Sequence, residues 1–149
     1  MVSGDIDVAV NGLTAGFYKL VSQGALRIIA GYGSEAPTFR AQAAVASKAA
    51  YAVGLTGPAA LGGHSVAISQ IGGASHYILG LLAAKYGFDL TTVLLMPVQT
   101  NPNAATAVAG GRADAAVVPG RYLMPALNSG GVKLLTWIGD VTPYQKNFD

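Results

Sequence analysis

Short apolar runs rich in Val, Ile and Leu alternate along this chain with segments of helical spacing, and Gly punctuates the two. Runs this short and this uniformly apolar, without polar alternation, read as strands covered on both faces, as in parallel sheets. The strands are expected near Asp7–Val10, Leu26–Gly31, Phe39–Ala46, Ser65–Ser69, Val93–Val98, Asp114–Pro119 and Lys133–Ile138. Helices are expected near Leu13–Ser22, Ser47–Val53, Ser75–Tyr86, Asn103–Ala109 and Arg121–Asn128. Such alternation implies an α/β fold with mainly parallel sheets.

A repeat constrains the organisation further. GDIDVAV from Gly4 recurs as GRADAAV from Gly111, and SQGALRIIA from Ser22 recurs as NSGGVKLLT from Asn128. The offsets, 107 and 106, keep both patches in one register, and the pair Gly33-Ser34 against Gly139-Asp140 extends it. The repeated unit is a Gly-closed helix end, a strand led by Asp, a helix, a second Gly turn and a strand opened by a basic residue. Any two βαβ pieces share some of these signals, so the repeat also has a plainer explanation in common turn chemistry. The second copy has two further strands and helices upstream of it, whereas three residues precede the first, so the chain is expected to begin within a repeat.

Composition bounds the functions open to it. With 52% hydrophobic and 11% charged residues the chain is globular rather than disordered. Its 149 residues allow one domain, or one lobe and part of another. Nine Lys and Arg against seven Asp and Glu leave a scattered surplus of +2, too small for a nucleic-acid surface. No cysteine is present, which removes disulfides, thiolate metal sites and a cysteine nucleophile. The N-terminal MVSGDIDVAV lacks the basic start and apolar core of a secretory signal, so none is expected in this chain.

Three motifs fail on context. Gly31-Tyr32-Gly33-Ser34-Glu35-Ala36 fits the dinucleotide pattern G-x-G-x-x-A, but Pro37 and a strand-like run replace the helix whose N-terminus would hold a pyrophosphate. Gly63-His64-Ser65-Val66-Ala67 resembles a nucleophile elbow, yet its strand follows the serine instead of preceding it. His64 and His76, twelve residues apart with no carboxylate near, do not make a metal site. No catalytic residue, metal or cofactor is therefore assigned.

The candidate ligand-binding residues lie where strands end. Gln70-Ile71-Gly72-Gly73-Ala74-Ser75-His76-Tyr77 joins the strand VAIS to an apolar helix, and free backbone N–H groups at a helix start can hold an anion. Within it Gly72, Gly73, Ala74, Ser75 and His76 are the candidates, although Ser75 as a simple helix cap is the plainer reading. Asn11 and Gly12 in the first repeat, Pro119, Gly120 and Arg121 in the second, and Gln99 and Asn101 after VLLMPV occupy the same carboxyl edge of the expected sheets.

Three blocks together resemble a known family: LxGxxVAxSxxGxxSHY over Leu61–Tyr77, then KYGFDLTTVLLMPV and AxAGGRADAAVVPG. They are similar to the solute-binding proteins of the sulfonate, nitrate, taurine and thiamine-precursor ABC importers, and SGDIDVAVNG resembles the first-lobe sequence of that family. The resemblance implies a periplasmic-binding-protein-like fold of two α/β lobes, with one lobe largely complete here and the other in part. Residues 1–35 would belong to the first lobe, 36–137 to the second, and 138–149 would cross back. It also implies a small-molecule ligand, anionic or heteroaromatic, held between the lobes on Asn11, Gly12, the Gly72–His76 loop and Pro119–Arg121. An ABC permease partner, no chemistry on the ligand, a monomer if complete and a periplasmic or lipid-anchored extracytoplasmic location follow from the same resemblance. The alternatives are an enzyme or effector-binding domain on a similar scaffold, such as a pyrimidine-precursor synthase, or a truncated product without function. An enzyme would need several titratable groups converging on the cleft, where only His76 is near.

Overall fold

Two stretches, Gln42–Ser47 and Ala115–Pro119, are buried along their whole length. Small and β-branched side chains on both of their faces let helices approach from either side, which is how these stretches come to sit in the middle of a sheet. In the computed structural model, which describes residues 3–10, 12, 14–31, 33–142, 146 and 147, they are the strands β2 and β5.

The chain order is α1 (Ala15–Ser22), β1 (Gly33–Ser34), β2, α2 (Lys48–Ala52), β3 (Ser65–Ile68), α3 (Ala74–Tyr86), β4 (Leu94–Pro97), α4 (Asn101–Ala109), β5, α5 (Gly120–Asn128), β6 (Val132–Trp137), α6 (Ile138–Val141) and β7 (Lys146–Asn147). Five strands form one sheet in the order β4-β3-β5-β2-β6. β3 runs parallel to β4 and β5, while β2 runs antiparallel to both β5 and β6. Four strands thus point one way and β2 alone is reversed, a mostly parallel sheet of α/β type. β1 and β7 pair antiparallel, Gly33 opposite Asn147 and Ser34 opposite Lys146.

The period-2 alternation of strand side chains divides the core into two layers. Ala44, Ala46, Val66, Ile68, Ala115 and Val117 face Ile78, Leu79 and Leu82 of α3. Ala43, Val45, Ala67, Ala116 and Val118 face Ala104, Ala107 and Val108 of α4 and Leu123 of α5. Each fully buried Leu or Ile contributes about 1.5–3 kcal/mol from the water it leaves.

The repeat survives as geometry. At the end of α1, Gln23, Gly24 and Ala25 donate to Lys19, Val21 and Leu20; at the end of α5, Ser129, Gly130 and Gly131 donate to Pro125, Leu127 and Ala126. These partners differ by 106 residues throughout. Gly24 and Gly130 share a left-handed φ, 73° and 71°, as do Gly4 and Gly111 at 87° and 70°.

Two of the expected strands do not form. Residues 7–10 and 26–31 carry no strand, and Val8, Val10 and Ile29 are 66%, 84% and 79% exposed. Their counterparts β5 and β6 each pair with β2, whereas no strand lies beside these two segments among the described residues, and an extended chain without a ladder partner leaves its N–H and C=O groups to water. The expected strand Phe39–Ala46 starts later, at Gln42, and is the reversed one. The last strand ends at Trp137, where the short helix α6 takes over. Residue 13, the expected start of the first helix, lies outside the described residues.

Candidate functional site

Three helices leave the carboxyl ends of parallel strands on one edge of the sheet: α3 after β3, α4 after β4 and α5 after β5. α1 joins them, because Ala15 N–H donates to the Gly72 carbonyl at 3.0 Å and docks its first turn on the loop before α3. The four helix starts surround a cavity of about 370 Å³. Its lining is Gly12 and Thr14 ahead of α1; Ser69, Gln70, Gly73, Ala74 and Ser75 at α3; Gln99, Thr100, Asn101 and Pro102 at α4; Tyr122 in α5; and Gln42 at the start of β2. None of these side chains is charged.

The helix starts are not equally spent. Thr14 Oγ1 accepts from Phe17 N–H at 3.2 Å and Thr100 Oγ1 from Asn103 N–H at 3.2 Å, so α1 and α4 are capped by their own threonines. The N-cap of α3 is Gly73, which has no side chain to offer, and no side chain caps that helix. Ala74 and Ser75 of its first turn line the cavity, so the free N–H groups and partial positive charge of that helix end lie beside it. Ser75 is buried, and its Oγ lies 3.4 Å from both the N and the Oγ of Ser69. Gln99, which follows β4, has φ 72° and is the one non-glycine residue with positive φ among those described. A side chain in that sparsely populated region is a local cost, and such costs gather at ligand sites.

The sequence-derived candidates separate into groups. Gly12, Gly73, Ala74, Ser75, Gln99 and Asn101 come together on this cavity. Gly72 and His76 stand behind it: Gly72 has φ 75°, and its N–H donates to His76 Nδ1 at 3.0 Å, so the imidazole braces the loop from within. Pro119, Gly120 and Arg121 line a second cavity of about 330 Å³ with Gly33, Phe39, Arg40, Ala41, Gln42, Met124 and Trp137. Gln42 borders both. Asn11 lies outside the described residues. Reasoning from sequence did not single out Thr14, Gln42, Ser69, Pro102 or Tyr122. Gln42 had a readable signal, a polar side chain opening an Ala and Val run, and Ser69 another, since it directly follows a strand.

The opposite edge of the sheet gathers a serine, a histidine and an aspartate without making a relay. Ser65 Oγ donates to Asp114 Oδ2 at 2.8 Å and accepts from Asp114 N–H at 2.9 Å, while His64 Nδ1 is 3.5 Å from the same Oδ2. The hydroxyl proton thus goes to the carboxylate, not to the imidazole, and the cluster pins the start of β3 to the start of β5. The hydrogen bonds from Ser65 hold the Asp114 carboxyl below its ordinary value, with the nearby His64 adding to the effect and burial opposing it.

No sequence family and no curated protein matches the chain. Among solved structures it is similar to the periplasmic aliphatic sulphonate binding protein SsuA of Escherichia coli, with 28% identity and a TM-score of 0.60 over 75% of this chain. It is also similar to the alkanesulfonate-binding protein SsuA of Xanthomonas axonopodis bound to MOPS, with 24% identity and a TM-score of 0.59 over 79% of this chain. A periplasmic binding protein of an ABC transporter from Brucella ovis, with glutathione bound, matches over 99% at 18% identity and a TM-score of 0.63. The chain spans 35%, 39% and 42% of the length of these three. They are binding proteins rather than enzymes. The chain has the fold of the periplasmic binding proteins of ABC transporters, sulfonate-binding proteins among them, and corresponds to part of their length.

Proposed function

We propose that the chain is the ligand-capturing part of an extracytoplasmic solute-binding protein that delivers a small anion, of sulfonate type, to an ABC permease. The observation that carries this reading is the cavity at the uncapped start of α3, which meets three further helix starts and is lined by no charged side chain among the described residues. Partial positive charge with no carboxylate in the lining favours an anion over a cation or a zwitterion, and fixed amides hold it without chemistry. Gln42, Thr100 and Tyr122 supply the neutral polar groups that orient such a ligand. Residues 1–35 are assigned to a first lobe, 36–137 to a second and 138–149 to a return crossing. The pairing of β1 with β7 supports two crossing segments side by side. The sulfonate-binding neighbours support the ligand class.

Calorimetric titration with methanesulfonate and with dimethyl sulfone, a neutral molecule of nearly the same shape, tests the reading. The anion is expected to bind at least about tenfold more tightly, a difference of about 1.4 kcal/mol. Equal affinity for the two, or no saturable heat with methanesulfonate, would contradict it.

A further inference from the structure

Glu35 is the only buried acid among the described residues, 0% exposed, and it lines neither cavity. A carboxylate taken out of water costs free energy, and an apolar side chain of its size would fill the same space at less cost, so the bonds it makes show what it contributes. Its Oε2 accepts the Ala41 N–H at 3.1 Å. The Ala41 carbonyl accepts the Gly120 N–H at 2.8 Å, so both backbone polar groups of Ala41 are held. The turn between Glu35 and Ala41 closes on itself through two hydrogen bonds between Ala36 and Phe39. It is fastened to the return segment as well: Gly139 packs on the backbone of Ala36, whose carbonyl an added Cβ would overlap, and Arg40 pairs with Asp140 at 2.9 Å.

Next after Ala41 comes Gln42, 1% exposed and part of the wall of the polar cavity. It stands at the end of the sheet, with Pro119 of β5 opposite, whereas the pairing of β2 with β6 begins only at Ala43. With a strand on one side only, its placement depends on the residue before it. We propose that Glu35 is a positioning residue for the polar cavity, its buried carboxylate holding Ala41 so that the Gln42 side chain stands in the cavity wall. Its effect on affinity rests on the anion reading of that cavity; the placement of Gln42 does not. A side chain held beforehand has little rotamer entropy left to lose when a ligand arrives. Without the carboxylate the Ala41 N–H loses its acceptor, the turn reorganises to satisfy it, and Gln42 moves with the turn.

Calorimetry with methanesulfonate, run below the melting temperature of each variant, tests this. Glu35→Leu, close in size but without an acceptor, is expected to weaken binding at least about tenfold. Glu35→Asp, which draws the carboxylate back by one methylene, should weaken it about threefold, and Glu35→Gln, which keeps an acceptor oxygen in place, by less than that. In a Gln42→Ala background the loss from Glu35→Leu should shrink to under about twofold, since the group being positioned is gone. Without ligand, the side-chain amide resonances of Gln42 are expected to move in Glu35→Leu and to stay near their place in Glu35→Gln. Unchanged affinity in Glu35→Leu, a loss in Glu35→Gln as large as in Glu35→Leu, a full loss persisting with Gln42→Ala, or Gln42 resonances unmoved by Glu35→Leu would each overturn the proposal. If Glu35→Leu does not fold, Glu35→Asp carries the same comparisons. If methanesulfonate fails to bind the unaltered chain, the anion reading falls while the Gln42 resonances still decide the role of Glu35.

Discussion

At the scale of single residues, two neighbouring glycines in the loop before α3 do different work. Gly72 has φ 75° and carries both anchors of the loop, the N–H bond to His76 and the carbonyl bond from Ala15. An alanine there would be held in a left-handed conformation with its methyl 3.4 Å from Ala15 Cβ, so Gly72→Ala is expected to cost about 1–2 kcal/mol of stability. Gly73 has φ −87°, which any residue adopts, but a Cβ on it would come 2.9 Å from Gln70 Cγ and 3.3 Å from the Gln70 carbonyl. The Gln70 side chain lines the cavity and can swing away into it. Gly73→Ala is therefore expected to cost under about 1 kcal/mol of stability and to weaken methanesulfonate at least about threefold, by obstructing the α3 amides. Thermal melting and calorimetry on both variants check this; a larger stability loss for Gly73→Ala than for Gly72→Ala would reverse the assignment.

At the scale of elements, the pin between β3 and β5 has a pH signature. The folded-state pKa of Asp114 lies below its ordinary value of 3.8, so its contribution is present at neutral pH and is lost as pH falls through that range. Asp114→Asn is expected to lower stability at pH 7 by under about 1 kcal/mol, because the carboxylate is 42% exposed and water screens it. The gap in melting temperature from the unaltered chain should narrow as the pH falls below 3.8; a gap that widens on acidification would contradict the hydrogen-bond account. The elements themselves were unevenly legible in the sequence. α3, α4 and α5 could be placed because each follows an apolar strand through Gly, Pro, Thr or Asn into a helical pattern. The direction of β2 could not, since an Ala and Val run buried on both faces reads the same either way along the sheet. The segments 7–10 and 26–31 carry strand composition, and composition does not supply the neighbour that a strand requires. Gln42 went unnoticed for a related reason: only the register of β2 against β5, with Gln42 opposite Pro119, brings it to the edge between the two cavities.

At the scale of the whole molecule, the sheet sorts its chemistry by edge. The amino ends of β3 and β5 carry the Ser65, His64 and Asp114 pin, which is structural, while the carboxyl ends carry both cavities and the helix starts. The helix ends of α1 and α5 share the same three hydrogen bonds 106 residues apart, although the strands that flank α5 have no counterpart beside α1. The docking of Ala15 on Gly72 lets that segment contribute Gly12 and Thr14 to the polar cavity. The central claim is that the uncapped α3 amides hold the anion. A titration of isotope-labelled chain with methanesulfonate, followed by amide proton and nitrogen chemical shifts, tests it most directly. The largest shifts are predicted at Ala74, Ser75 and His76, with smaller ones at Gly12 and Asn101. Shifts centred instead on His64, Ser65 and Asp114, or on Arg121 and Trp137 with the α3 amides unmoved, would contradict the account.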